Sequence, residues 1–292
     1  MSRPGRPHLV SRVILRRFCD EDHLLSRCAV AHVQVRRVGP DGVFRTARLH
    51  PDDPSLFEAR WKEVEDSLPA ALAAVDDRTL LGKPDLLVVL RQCMAIHMAR
   101  SGDLLRVHDL ATAVFRDAML PRLRSDPRIR DRFRREHFGL EPAGPEAIEI
   151  EARRAIEEAR RQVEDSGFNA ERMLASYDEA LKVVDGKGLQ VCVAAEGEFL
   201  IGDAPAQTLR EGHDGVGPLG GVPWSEATTI VMPVGRRHSV SLSRESEYLD
   251  LDAANVRYLN TVQVRAAHQS VAWHPGVDFR GLVREVRGSS NT

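Results

Sequence analysis

Lysine is nearly missing from this chain of 292 residues. Only Lys62, Lys83, Lys182 and Lys187 stand among its 41 basic residues, leaving 37 arginines. The arginines are spread along the whole chain, which reads as genome composition; the functional alternative is anion recognition by forked guanidinium groups. Cysteine is scarce too. Cys19, Cys28, Cys93 and Cys192 form no C-x-x-C pair, which excludes a zinc knuckle and a disulfide scaffold. The basic start, Met1 to Pro7, leads into no apolar h-region, and no apolar run is long enough to span a bilayer. A reducing cytoplasm is the expected compartment, and no membrane partner is expected. Several enzyme signatures are also lacking: no G-x-S-x-G elbow, no P-loop, no dinucleotide fingerprint and no H-E-x-x-H. No metal ligand set is expected, and no cofactor is named by any motif. The net charge of -2 gives no support to nucleic-acid binding.

What is present is an ordinary globular balance, 42% hydrophobic and 29% charged. Val10, Val13, Ile14 and Phe18 recur at helical spacing behind Ser11. A β-branched run from Leu25 to Val38 follows, then the turn signal Gly39-Pro40-Asp41-Gly42, with Val43 to Leu49 as the returning strand of a hairpin. Asp53-Pro54 opens a helix that Pro69 should kink or divide. Pro84 to Arg100 is apolar nearly all round and reads as a buried helix. A further helix spans Asp103 to Leu120. Arg124 to Phe138 reads as a solvated helix or loop. The charged helix Glu146 to Asp165 reads as one that lies on the surface, bridges parts or meets a protein partner, and a helix capped by Asn169 ends at Gly186.

After Gly188 the period becomes β. Leu189 to Val193 and Phe199 to Ile201 read as a hairpin around Glu196-Gly197, and Gly212 to Pro223 as a surface loop. Strands at 228–234 and 238–242 follow. A helix from Asp252 to Ala267, a closing strand Ser270 to Trp273 and a tail from Arg287 complete the chain. The expectation is one α+β domain over 1–292. An N-terminal helix and hairpin (8–50) join C-terminal strands and a helix (189–285) in a sheet, a helical block (53–185) is inserted between them, and 287–292 is a flexible tail.

Four stretches together carry a resemblance. His8-Leu9-Val10-Ser11-Arg12-Val13-Ile14-Leu15-Arg16-Arg17-Phe18 is similar to a pattern His-Tyr-Val-Pro-x-Phe-x-Leu-Arg-x-Phe. Phe199 to Pro205 is similar to Phe-x-Thr-Ser-Asp-Asn-Pro, Pro233 to Arg236 to Pro-Leu-Ser-Pro, and Leu259-Asn260 to a late Leu-Asn. In this order they resemble the bacterial family known as domain of unknown function 4238. The chain departs from the pattern at Ser11, Gly202 and Ala204. The resemblance implies no reaction.

Two readings of the polar residues stand side by side. In the first, the protein is a hydrolase or nuclease-like enzyme acting on a phosphate-bearing substrate. His8, Glu65, His97 and Asp203 would serve as acids and bases, and Arg16, Arg100 and Asn260 would bind substrate, with Arg16 also the cation for Glu65. In the second, the protein is a non-catalytic interaction or regulatory protein and these residues are internal struts: a capping His8, a satisfied core His97, an Asx turn at Asp203 and a bridging Asn260. The first predicts convergence in one pocket. The second predicts buried, satisfied hydrogen bonds.

Overall fold

The computed structural model describes residues 8–45, 56–101, 117–139, 142–164, 166–212 and 221–288, with the single positions 110, 113 and 215. The chain divides into two compact units, 1–104 with 170–292, and 105–169.

In the first unit, α1 (Arg12–Arg16) starts at Ser11, whose Oγ accepts the Val13 N–H at 3.2 Å. Five residues are too few for a helix to stand alone. Full burial of Ile14, Leu15 and Phe18 holds it in place. The hairpin β1 (Leu25–Ala29) and β2 (Gln34–Val38) follows, paired antiparallel. Its turn falls one strand earlier than expected. Residues 30–33 contain no glycine, proline or asparagine to signal a turn, and Val33 takes φ +47°. Gly39 to Gly42 instead leads into a single 3-10 turn, Pro40–Gly42. Of the expected returning strand, Val43 and Phe44 are bends and Arg45 forms only an isolated bridge to His8, while 46–49 lie outside the described residues.

The long helices α2 (Leu56–Asp76) and α3 (Pro84–Ala99) pack on each other. α2 continues through Pro69; its expected start at Asp53-Pro54 lies outside the described residues. α3 is buried nearly all round only from Leu90 onward, while Val88 in its first half is exposed.

In the second unit, a helical segment at 117–125 precedes α4 (Pro127–Phe138), capped by Asp126, and α5 (Pro145–Glu164). Ile148 and Ala152 of α5 pack with Leu123 and Phe133. α6 (Ser166–Val184), which from Ala170 on belongs to the first unit, begins ahead of Asn169 and stops before Gly186, which takes the φ of +80° that a glycine tolerates.

The remaining strands are β3 (Gly188–Ala194), β4 (Ile201–Gly202), β5 (Gln207–Leu209), β6 (Thr229–Pro233), β7 (His238–Ser243), β8 (Tyr248–Leu251) and β9 (Ser270–Trp273). β9 pairs with β1 on one side, Ser26 opposite Trp273, and with β4 on the other, giving the order β2-β1-β9-β4. The N-terminal hairpin therefore shares a sheet with strands far along the chain. The second sheet runs β5-β6-β7-β3-β8, with only β3–β8 parallel. β3 and β4 were expected to pair as a hairpin, yet they belong to different sheets.

Two helices, α7 (Ala253–Ala266) and α8 (Arg280–Gly288), pack together. Asp252 caps α7 by accepting the Asn255 N–H at 2.8 Å. Cys28, Leu200, Val264, Val271, Trp273 and Val283 form the core that joins β1, the approach to β4, β9, α7 and α8. Each large aliphatic side chain so buried contributes about 1.5–3 kcal/mol. Among the described residues no helix is long and apolar enough to cross a membrane.

Candidate functional site

Three of the seven candidate residues meet between α1, α2 and α3. His97 is 1% exposed, and its Nδ1 lies 2.7 Å from the Cys93 carbonyl. A carbonyl only accepts, so Nδ1 carries the proton and Nε2 is left as the acceptor. Nε2 takes the backbone N–H of Ser11 at 3.1 Å, and both ring nitrogens are thereby engaged. Burial, reinforced by the nearby Arg100 charge, pushes the imidazole pKa down to about 4. Glu65 accepts from Ser11 Oγ at 2.5 Å. Arg100 is almost wholly buried, its guanidinium lying 4.2 Å from the Trp61 ring centroid and 2.9 Å from Glu58. Glu65 also acts electrostatically on Arg100, so Arg100 takes the part expected of Arg16.

The space beside this cluster, between Ser11, Trp61, Glu65, Cys93 and His97, has a volume of about 10 Å³. That is the scale of one water molecule.

Ser11 occupies the position where the resembling pattern has proline. A proline would have no N–H to donate to His97 and no hydroxyl for Glu65. The departure at this position is thus built into the cluster rather than neutral to it.

Asp203 and Asn260 form a second constellation, around the segment 198–205. The Asp203 carboxylate is 3% exposed and accepts the backbone N–H groups of His268 (2.8 Å), Gln269 (2.7 Å) and Ser270 (3.1 Å). Burial pushes its pKa up, while those three donors pull it back. Asp203 thus clasps the link from α7 to β9, a longer reach than a local Asx turn. Asn260 Oδ1 accepts the Leu200 N–H at 2.9 Å, and its Nδ2 donates to the Glu198 carbonyl at 2.8 Å.

One turn on, Gln263 repeats the arrangement. Its Oε1 accepts from Gly202 N at 3.0 Å, and its Nε2 donates to Pro205 O at 2.8 Å. A Cβ at Gly202 would stand 3.1 Å from the Gln263 carbonyl, so the close approach of α7 favours glycine there. Gln263 was missed as a functional position. Its signal was present in the i, i+3 spacing from Asn260 on the buried side of the helix.

The other two candidates stand apart. His8 is half-buried, donates from Nδ1 to Val43 O at 3.1 Å and lies 3.9 Å from Asp41. Burial lowers its pKa, although the Val43 hydrogen bond opposes the shift. It has no partner in common with Asp203. Arg16 is exposed.

Arg17, the neighbour of Arg16, bonds Asp76 through two nitrogens (2.8 and 2.5 Å) and donates from Nε to Val234 O at 2.7 Å. His238 Nδ1 completes this junction 3.2 Å from Asp76. A Cβ at Gly235 would meet Arg17 Nε at 2.8 Å, so the glycine leaves room for the guanidinium. The motifs around 8–18 and 233–236 are joined through Arg17, one residue away from the arginine that the motif singles out. Among the described residues no three His, Cys, Asp or Glu side chains are grouped as a metal site would need.

The family described as "Protein of unknown function (DUF4238)" matches residues 6–276. No curated protein and no solved structure matches the chain.

Proposed function

The chain belongs to that family, and we propose that it is a non-catalytic interaction protein whose motif residues are internal struts. One observation carries this reading: the polar atoms of Asp203, Asn260 and His97 are bonded to backbone groups, all of them in distant segments except the Cys93 carbonyl that His97 meets in its own helix. A general acid or base needs a proton within reach of a bound substrate and a space for that substrate. The space beside His97 accommodates one small molecule of water size at most. The charged helix α5, on which Ile150 is 62% exposed, is the surface that this reading offers to a partner.

The test sets turnover against stability. The wild-type chain, Asp203→Asn and His97→Gln are assayed on a chromogenic phosphodiester and phosphomonoester with magnesium or manganese, and their thermal unfolding is followed by circular dichroism. The expectation is no turnover by any of the three. Asp203→Asn should lose about 2 kcal/mol, because one carboxamide oxygen and an NH₂ group replace an acceptor for three buried donors. Wild-type turnover that disappears in His97→Gln at unchanged melting temperature overturns the reading.

A further inference from the structure

The second unit holds a crevice of about 180 Å³, walled by the segment 117–125, α4 and the start of α5. Leu123, Pro145 and Ile148 supply its apolar wall. A space of that size takes about six water-sized groups, or a body a little larger than benzene. In such sites the apolar wall gives affinity, and the few polar groups beside it choose the ligand.

Three charged side chains line the same crevice: Arg124, Glu149 and Arg130. The first two are spent on each other. Glu149 accepts from Arg124 Nε at 3.1 Å and Nη2 at 2.5 Å, and also from Arg153 Nη2 at 2.8 Å. Arg130 is different. Its backbone N–H is bonded to the Asp126 carbonyl at 3.1 Å, but its guanidinium has no acceptor and no carboxylate partner among the described residues. The residue is partly exposed, so an incoming group can reach it. One open positive charge therefore stands beside the apolar wall. A guanidinium so placed presents the fork that matches both oxygens of a carboxylate.

We propose that this crevice binds a small monocarboxylate on an apolar body of about four to six carbons, with Arg130 taking the carboxylate. The apolar body lies on Leu123 and Ile148. A second negative charge on the ligand finds no cation, because Arg124 belongs to Glu149. A free acid and the C-terminal residue of a peptide offer the same chemistry. This goes beyond the strut reading and does not depend on it. Turnover by the wild-type chain would overturn that reading and leave this one standing.

The experiment titrates the full chain at pH 7.5 with 4-methylpentanoate, followed by the broadening of the ligand methyl signals in proton NMR. Three further probes are read in the same way. 4-Methylpentanamide removes the charge, acetate removes most of the apolar body, and N-acetylleucine adds a peptide bond to the same skeleton. Saturable binding of 4-methylpentanoate in the millimolar range or tighter is expected. It should be at least about tenfold tighter than the amide, the size of one charge-assisted hydrogen bond. It should exceed acetate by at least about tenfold as well, because the buried carbons are lost. If N-acetylleucine binds tighter still, the crevice takes a chain end; if it binds more weakly, a free acid. Arg130→Met should erase the preference for acid over amide, and Arg130→Lys should retain it with weaker binding. Arg128→Met, at an exposed arginine of the same helix outside the crevice, should change neither. All variants are checked for an unchanged melting temperature, and Arg130→Gln replaces Arg130→Met if the latter is destabilised. Absence of saturable binding, equal affinity for acid and amide, acetate binding as tightly as 4-methylpentanoate, or an uncharged residue at 130 that leaves the preference intact overturns the proposal.

Discussion

The two buried constellations solve one problem, joining segments far apart in sequence, by different chemistry. At 198–205, two neutral amides and one carboxylate read backbone N–H and C=O groups, much as a neighbouring strand would. Between α1, α2 and α3, side chains also read one another: the Ser11 hydroxyl to Glu65, and Arg100 to Glu58 over Trp61. The two amides hold their backbone groups whatever the pH, and the clamp leaves little free for chemistry. A cluster of ionisable side chains depends on every member keeping its charge. Removing one charge from the second should therefore hurt most, and acid should strain the second more than the first.

Arg100→Met is the sharpest cut. It keeps much of the buried volume beneath Trp61 but leaves Glu58 and Glu65 without their buried cation. A loss of about 3 kcal/mol is expected, the low end for a broken buried pair because Glu58 is a third exposed. Urea unfolding monitored by tryptophan fluorescence measures it. A loss below about 1 kcal/mol, the scale of an exposed ion pair, would mean that the cluster is no more than surface-like.

The comparison also explains what could be read from the sequence. Periodicity and end signals carried the fold class: the Asp252 cap, the Gly186 stop and the alternation at 189–193 all correspond to observed elements. Residue type and place were enough to single out His97 and Asn260 as polar groups on apolar helix faces, and Asp203 as the end of a strand at a tight turn. Their partners were not legible, because a backbone N–H at 268–270 or 200 has no side-chain signature.

Where local chemistry was silent, the expectation slipped. The hairpin turn at 30–33 is imposed by packing of Val30 and Val33 against the core, against the preference of a β-branched residue for negative φ. α8 was overlooked although Leu282, Val283 and Val286 lie on one helical face; no element was assigned between Trp273 and the tail expected from Arg287. Arg16 was preferred to Arg17 by motif position, whereas helix geometry turned Arg17 toward Asp76 and Val234.

Acid should separate the two constellations directly. His97 has a folded pKa of about 4, below the ordinary 6.5. As pH falls from 6.5 toward 4 the unfolded chain gains a proton that the folded chain refuses. Stability from this site is therefore full above 6.5 and declines by about 1.4 kcal/mol per pH unit within the window. Burial also lowers the pKa of His8 and His238, so they act in the same direction and His97 must be isolated by difference. The wild-type chain and His97→Gln are compared by urea unfolding at pH 7.5, 5.5 and 4.5. Their stability difference should narrow by about 2.5 kcal/mol from the first to the last. An unchanged difference would show that the folded imidazole titrates normally and that its burial carries no penalty.

Asn260→Ala tests the other side. It strips the acceptor from the Leu200 N–H and the donor from the Glu198 carbonyl. One of these groups lies fully inside the core, and the loss should be about 2 kcal/mol. No group that titrates between pH 7.5 and 4.5 takes part in either bond, so the same loss should appear at both ends of that range. Gln263→Ala, one turn away, should behave alike because it holds Gly202 and Pro205 by the same pair of bonds. The double variant should then cost more than the sum of the two if 198–205 is gripped as a unit. A loss that changes by more than about 0.5 kcal/mol with pH would mean that a neighbouring carboxylate, Asp203 above all, is coupled to the amides, and that the clamp is as charge-dependent as the cluster it was set against.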